Sequence, residues 1–241
     1  MAFKHGKDTE VWIGAFDVST FCDAADLSTA VETGDTTTFK SDWKTALPGL
    51  ATAKMDVKGK FDPTAAPYFT DLIQTASVLT YGPAGMAAIG DVARLIGVNE
   101  TAYAESAPVG GIVAFSSSFL SDAAVGFGSV LHVGGEDTNT TTGATKNDGA
   151  ATSTGWVAHL HVTAVDAGSW VIKLEDAAVS NFSYCADVTS GTFTAATGAT
   201  SQRLVSAAGA TLKRYVRYVA TRTGGSAGDG ITFALAYSRN S

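Results

Sequence analysis

Residues 53–61, Ala-Lys-Met-Asp-Val-Lys-Gly-Lys-Phe, alternate apolar and charged side chains without a slip. Met55, Val57 and Phe61 fall on one face, and Lys54, Asp56, Lys58 and Lys60 on the other. A period of two fits a strand buried on one side and wet on the other, and fits no helix. The same period returns along the chain. Val11 and Ile13 share a face, as do Val113, Phe115 and Phe119, and Val125, Phe127, Leu131 and Val133. Trp156, Ala158, Leu160 and Val162 alternate with Val157, His159, His161 and Thr163, and Trp170, Ile172 and Leu174 alternate with Val171, Lys173 and Glu175. Ile231, Phe233, Leu235 and Tyr237 close the series, while 213–220 is a strand with both faces mixed.

Composition agrees with this pattern. Ala, Thr, Gly and Ser supply 117 of 241 residues, and the long-chain helix formers are thin. Such a chain leans to β structure. With 45% apolar and 16% charged residues it is not a disordered polyelectrolyte, and two Cys cannot staple a fold of this length. Cys22 and Cys185 read as reduced thiols. No apolar run reaches membrane-spanning length, and the basic start at Lys4 and Lys7 has no apolar stretch of a signal peptide behind it. One helix is expected near 63–76, capped by Asp62, with Phe69, Leu72, Ile73 and Ala76 at helical spacing; Pro67 argues for a start near 67.

The net charge of −7 lies in residues 1–134, with 15 acids and 8 bases, while 135–241 balance at 8 and 8. Between these parts a polar, aperiodic stretch reads as a flexible linker. The expected organisation is therefore a first domain at 1–134, a linker at 135–151 and a β-sandwich at 152–241, in a mainly β, β-rich α+β chain. The acidic balance argues against a free-standing nucleic-acid binder.

No nucleophile elbow, phosphate loop, dinucleotide fingerprint or zinc helix occurs, so no catalytic or metal-binding residue is assigned and no cofactor is expected. His159 and His161 stand two apart on a strand and could share a metal, but nothing nearby completes a site; as plain side chains they face solvent or an interface. The cluster of Arg203, Lys213, Arg214, Arg217 and Arg222 with Tyr215 and Tyr218 invites a nucleic-acid reading. Arg214 and Arg217 fall on opposite faces, however, and pairing with Glu175, Asp176, Asp187 or Asp229 is the simpler expectation. The scattered acids of the first part select no catalytic pair.

Residues 31–50 form a long, polar, turn-rich connection carrying Phe39, Trp43, Leu47 and Leu50. Large apolar anchors on such a loop make a partner surface, unless Trp43 and Leu47 fold back on their own core.

The opening Met1-Ala2-Phe3-Lys4-His5-Gly6-Lys7, the run Glu32-Thr33-Gly34-Asp35-Thr36-Thr37-Thr38-Phe39, the Leu47-Pro48-Gly49-Leu50 that follows, and the amphipathic strand 53–61 resemble the major tail tube protein of long, non-contractile-tailed bacteriophages. The resemblance covers about residues 1–134, and departs at Lys40, where the family pattern often has Gly. It implies a tail-tube-type antiparallel β-sandwich or barrel with one helix, in a non-enzymatic virion protein assembled in the bacterial host cytoplasm. Subunits form hexameric rings, or trimeric rings of doubled domains, that stack into a hollow tube. The partners implied are other copies of the chain, a tape-measure protein and tail terminator or tip proteins, with DNA only in transit. The loop carrying Glu32, Asp35, Thr37, Phe39, Trp43, Leu47, Pro48 and Leu50 then reaches a neighbouring ring or subunit. Lys54, Asp56, Lys58 and Lys60 are candidates for the lumen face, although an acidic lumen that repels phosphate sits awkwardly with three lysines there. Tyr215, Arg217 and Tyr218 are candidates for an exterior aromatic and basic surface. The alternative reading is a carbohydrate-binding or adhesive β-sandwich presenting Trp156, Trp170, Tyr184, Tyr215 and Tyr218.

Overall fold

A computed structural model describes residues 4–40, 42–64, 66–73 and 75–240; Met1, Ala2 and Phe3 of the opening motif, with Ser41, Ala65 and Gln74, lie outside them. The strands in chain order are β1 (Glu10–Ile13), β2 (Phe16–Asp17), β3 (Cys22–Asp35) and β4 (Ala46–Lys60). After helix α1 (Ala66–Thr70) come β5 (Ala76–Gly82), β6 (Val92–Ser106), β7 (Ala114–Ser121) and β8 (Gly126–Asp137). The two-residue strands β9 (Thr141–Thr142) and β10 (Lys146–Asn147) precede β11 (Trp156–Val165), β12 (Ser169–Ala177) and β13 (Ala186–Thr192). Then β14 (Thr200–Val205), β15 (Tyr215–Thr223) and β16 (Ile231–Arg239) complete a mainly β chain.

Contacts divide the chain into two units whose boundary is not at 135: one holds Met1–Thr20, Ser77–Ile96 and Gly126–Ser241, the other Phe21–Ala76 and Gly97–Val125. In the first unit, β14, β11, β16 and β8 run antiparallel in that order. A second sheet, in which β12 pairs with β13 and β15 while β9 and β10 pair with β15, packs over it. Their shared core holds Leu131, Trp156, Leu160, Trp170, Ile172, Leu174, Tyr218, Phe233 and Tyr237. This is the expected sandwich, but its sheet recruits β8 from the part assigned to the first domain.

Residues 135–151 are not a free linker here. β8 runs to Asp137, and β9 and β10 pair with β15. A Cβ at Gly143 would fall 2.0 Å from the Tyr218 ring, so only glycine lets this segment lie there. Asp148 accepts from Arg239 Nε at 2.7 Å and from the Tyr237 hydroxyl, and pairs with Lys146. Lack of hydrophobic period hid this, because the segment is held by hydrogen bonds and charge.

β8 departs from plain alternation as well. Its pairing with β16 slips twice, so β8 carries extra residues at Gly134 and Leu131. Each bulge turns the following side chains to the other face. Val130 and Leu131 are consequently both buried, whereas Phe127 and Val133, expected beside Leu131, are exposed. β11 is buried on both faces from Trp156 to Val162, so His159 and His161 lie in the interior and not at solvent.

The second unit is built on a sheet in the order β3-β4-β7-β6. Ala53, Met55, Val57, Phe115 and Phe119 are buried on one face, and Phe69 packs there, 4.6 Å between ring centroids from Phe115. The helix is five residues long, shorter than expected. After Pro67 the chain tightens: Asp71 N–H donates to Pro67 and Leu72 N–H to Phe69, and Ile73 leaves to bridge Glu100. Phe69 is buried, but Ile73 is exposed and Ala76 already belongs to β5. At the other end a Cβ on Gly59 would sit 1.9 Å from the Phe21 carbonyl, which is why the alternation places glycine there.

Candidate assembly surfaces

Residues 31–50, expected as an irregular connection, are the outer half of a β-hairpin. Val31 pairs with Ala51, Thr33 with Pro48, Gly34 with Leu47 and Asp35 with Ala46. Only the far half of β4, Lys54 to Lys60, also pairs with β7. The outer half is therefore a two-stranded ribbon, with Glu32, Asp35, Pro48 and every other residue of 46–52 exposed. The alternation rule missed it because neither face is buried.

Its tip is shaped by the Asp-Thr-Thr-Thr run. Thr37 N–H donates to Asp35 Oδ1 at 2.8 Å, Thr45 N–H donates to Thr37 Oγ1 at 3.1 Å, and Thr36 N–H donates to the Thr45 carbonyl at 2.9 Å. The Thr37 hydrogen bonds hold the Asp35 carboxyl below its ordinary value. Lys40 has φ +74°, the left-handed region where glycine is easiest, so it stands where the resembled pattern places Gly. Phe39 is 102% exposed, Trp43 84%, Leu50 75% and Leu47 64%: none folds back on a core in this chain. Such a cluster of bare anchors is unusual on a lone soluble chain.

The ribbon adds a second unsatisfied feature. Among the described residues β3 pairs with β4 alone, leaving one edge of a 14-residue strand open. Open edges of this length accept another strand.

The wet face of this sheet carries Lys54, Asp56, Lys58 and Lys60 as the alternation requires. Asp26 stands opposite Asp56 across the β3–β4 pair. Lys54 reaches Asp56 at 2.8 Å, Ser118 Oγ donates to Asp56 at 2.5 Å, and Lys60 pairs with Asp23 at 2.9 Å. Hydrogen bonds from Lys54 and then Ser118 keep the Asp56 carboxyl below its usual range. Two of the three lysines thus pair with aspartates, and with Asp26 beside them the face is mixed in charge and not strongly basic.

In the first unit, the residues considered for an exterior surface are largely engaged. Tyr218 is buried, its hydroxyl donating to Asp137 at 3.1 Å, and burial raises its pKa well above the usual phenol value. Arg217 forks onto Glu175 Oε2 at 3.0 and 2.8 Å and lies 4.0 Å over the Phe182 ring. Lys213 pairs with Asp176 at 3.0 Å, and Arg222 donates to the Ser226 and Asp229 carbonyls. Tyr215 is half-buried under Arg214, which also donates to Asn147. Lys213, Arg214, Arg217 and Arg222 are thus engaged locally, while the Nε of Arg203 is buried with no hydrogen-bond partner among the described residues. Trp156 and Trp170 are fully buried, which leaves Tyr184 as the one fully exposed ring of the aromatic set considered for glycans.

His159 and His161 share a face of β11 with Thr80 set between them. The Gly14 carbonyl can only accept, so His161 Nδ1 donates to it at 2.6 Å. No group of three or more His, Cys, Asp and Glu able to hold a metal forms among the described residues. No helix of the described residues is long and apolar enough to cross a membrane.

Neither a protein-family model nor a curated protein sequence matches the chain. Among solved structures, it is similar to a chain in the tail of an empty gene transfer agent particle of C6 symmetry, at 18% identity over 52% of this chain and 98% of that one, TM-score 0.41. It is similar to the SPP1 tail tube at 12% identity over 50% of this chain and 77% of that one, TM-score 0.42. It is also similar to the SPP1 Dit protein, described as a hub adsorption apparatus in phages infecting Gram-positive hosts, at 12% identity over 95% and 98%, TM-score 0.38.

Proposed function

We propose that this chain is a structural, non-catalytic subunit of a bacteriophage tail tube. The observation that carries the reading is the β3–β4 ribbon: an open 14-residue edge and a bare aromatic tip on one element. A strand from a neighbouring copy fills the edge, and repeating that heterologous contact around an axis closes a ring. Six copies per ring is the expected number. The tip residues Phe39, Trp43, Leu47 and Leu50 cover themselves on the next ring, and the rings stack into a tube. The sequence resemblance of 1–134 to tail tube proteins supports the same assembly.

The mixed face with Lys54, Asp56, Lys58 and Lys60 is the candidate lumen wall. Its lysines are partly neutralised by Asp23 and Asp56, so DNA in transit meets no continuous cationic track and does not stick. A tape-measure protein fills the lumen during assembly in the host cytoplasm, and terminator and tip proteins close the ends. The sandwich of 152–241 decorates the exterior of the virion tail, held by the segment 135–151. The edge contact is tested by replacing Leu27 of β3 with proline, which cannot donate to a sheet ladder. Size-exclusion chromatography of Leu27→Pro should show loss of rings, while rings at wild-type yield would contradict the edge contact.

A further inference from the structure

A run of hydrogen bonds inside the first unit ends on an unused acceptor, and an unused donor stands on the strand paired beside it. We propose that one ordered water molecule joins the two, between His159 of β11 and Arg203 of β14. The site lies wholly within the first unit and needs no second copy of the chain.

The protons can be assigned from one end. The Gly14 carbonyl only accepts, so His161 Nδ1 carries the proton of the 2.6 Å bond between them. His161 Nε2 is then a bare lone pair, and the Thr80 hydroxyl, 2.7 Å away, donates its single proton there. The Thr80 oxygen in turn accepts from His159 Nδ1 at 3.2 Å, which makes Nδ1 the protonated nitrogen of that ring. His159 Nε2 is left as an acceptor. The residue is fully buried, and no described group donates to this atom. The Leu79 carbonyl also lies at the ring, but it too can only accept.

The matching donor is Arg203. It stands directly opposite His159 in the β11–β14 pair, so both side chains leave the same face of the sheet. Its Nε is buried without a hydrogen-bond partner, and no carboxylate pairs with it among the described residues. Its charge acts on the His159 imidazole. Yet the two side chains do not bond each other directly. Leaving both atoms bare would cost the desolvation of each.

The polarity of the two atoms selects the occupant. A bridging group must accept from Arg203 Nε and donate to His159 Nε2, and water does both. An anion would meet the bare Nε2 lone pair. A metal ion would meet the guanidinium charge, and no metal-holding group of three or more His, Cys, Asp and Glu forms among the described residues. With the water in place, a chain runs from Arg203 through His159, Thr80 and His161 to Gly14. It ties the edge strand β14 to the turn between β1 and β2, by way of β11 and β5. Each imidazole nitrogen along it then has a partner.

A crystal structure of the full chain, at a resolution that shows ordered solvent, reads the site directly. One solvent peak within hydrogen-bond distance of both His159 Nε2 and Arg203 Nε is expected, with no anomalous signal there after a bromide soak. A bromide signal at the peak would overturn the water in favour of an anion. A direct bond between the two side chains, or a guanidinium turned out to solvent, would overturn it as well. Chemical denaturation at neutral pH gives a second reading. Arg203→Met removes the donor at similar volume and should lower the folding equilibrium constant about tenfold, because Nε2 is then stranded. In a His159→Phe background no acceptor remains, and the same change should lower it by less than about twofold. Equal losses in both backgrounds would contradict the bridge. The crystal reading decides whether or not His159→Phe folds.

Discussion

The Thr80 hydroxyl donates to His161 Nε2 across 2.7 Å in the buried interior, and its oxygen accepts from His159 Nδ1 at 3.2 Å. With Gly14 holding the other His161 nitrogen, each of these groups has a fixed proton, and a further proton has no acceptor. Burial pushes His161 down to about 4, and burial, then His161 and the Arg203 charge, push His159 well below its ordinary value.

Depressed imidazole values make this cluster acid-sensitive. Its stability is fully present above about pH 6.5 and is lost as pH falls toward 4, because the unfolded chain takes up the protons first. Protection of the β11 amides, taken relative to the intrinsic exchange rate at each pH, should be high at pH 7.5 and fall by pH 5. Thr80→Val, which strands two imidazole nitrogens, should cost about 1–3 kcal/mol at neutral pH. Protection in β11 that is flat with pH would contradict the assignment.

Glu100 has the opposite sign. It is buried in the second unit, accepts a hydrogen bond from Ser117, and has its other oxygen without a hydrogen-bond partner. Burial raises it to about 7, more than the Ser117 bond lowers it. The associated stability is full below about pH 4.5 and is lost as pH rises through 7. Glu100→Gln should remove this slope and stabilise the chain at pH 8 by up to about 3 kcal/mol. Chemical denaturation at pH 5.5 and 8 reads it directly; an unchanged slope in the variant would contradict it.

Arg239 ties the 135–151 segment to the sandwich through Asp148, the Ala150, Leu212 and Lys213 carbonyls and Thr152. Lysine carries the charge but not the fork. Arg239→Lys should cost about 2–3 kcal/mol and raise amide exchange at 146–152. Exchange there as fast in the wild-type chain would mean the segment is a linker after all.

What the sequence reveals follows from what it can encode locally. The alternation at 53–61 and 170–174 is visible because one face is buried and one is wet. The β8 bulges, the double burial of β11 and the polar anchoring of 135–151 depend on partners 60 to 150 residues away, among them Gly14 for His161 and Arg239 for Asp148, and leave no local period. The exposed apolar residues of 31–50 are legible by chemistry though their secondary structure is not: Phe39 and Trp43 stand out among threonines, while strand pairing on a ribbon with no buried face has no hydrophobic signature. The exterior surface read from Tyr215, Arg217 and Tyr218 failed at Tyr218, because a mixed strand does not say which side meets a second sheet.

Trp43 and Leu47 separate stability from assembly. Both are exposed in the chain, so Trp43→Ala with Leu47→Ala should change its unfolding free energy by no more than about 0.5 kcal/mol. Tube formation should nevertheless be lost. A double variant that assembles like wild type would show that the tip is not the contact between rings.

The central claim is that this chain builds a tube from copies of itself, and electron microscopy of the concentrated full-length protein tests it most directly. The account predicts rings with a central channel, stacked into hollow tubes of uniform diameter. A chain that stays dispersed as monomers at every concentration and salt condition would contradict it.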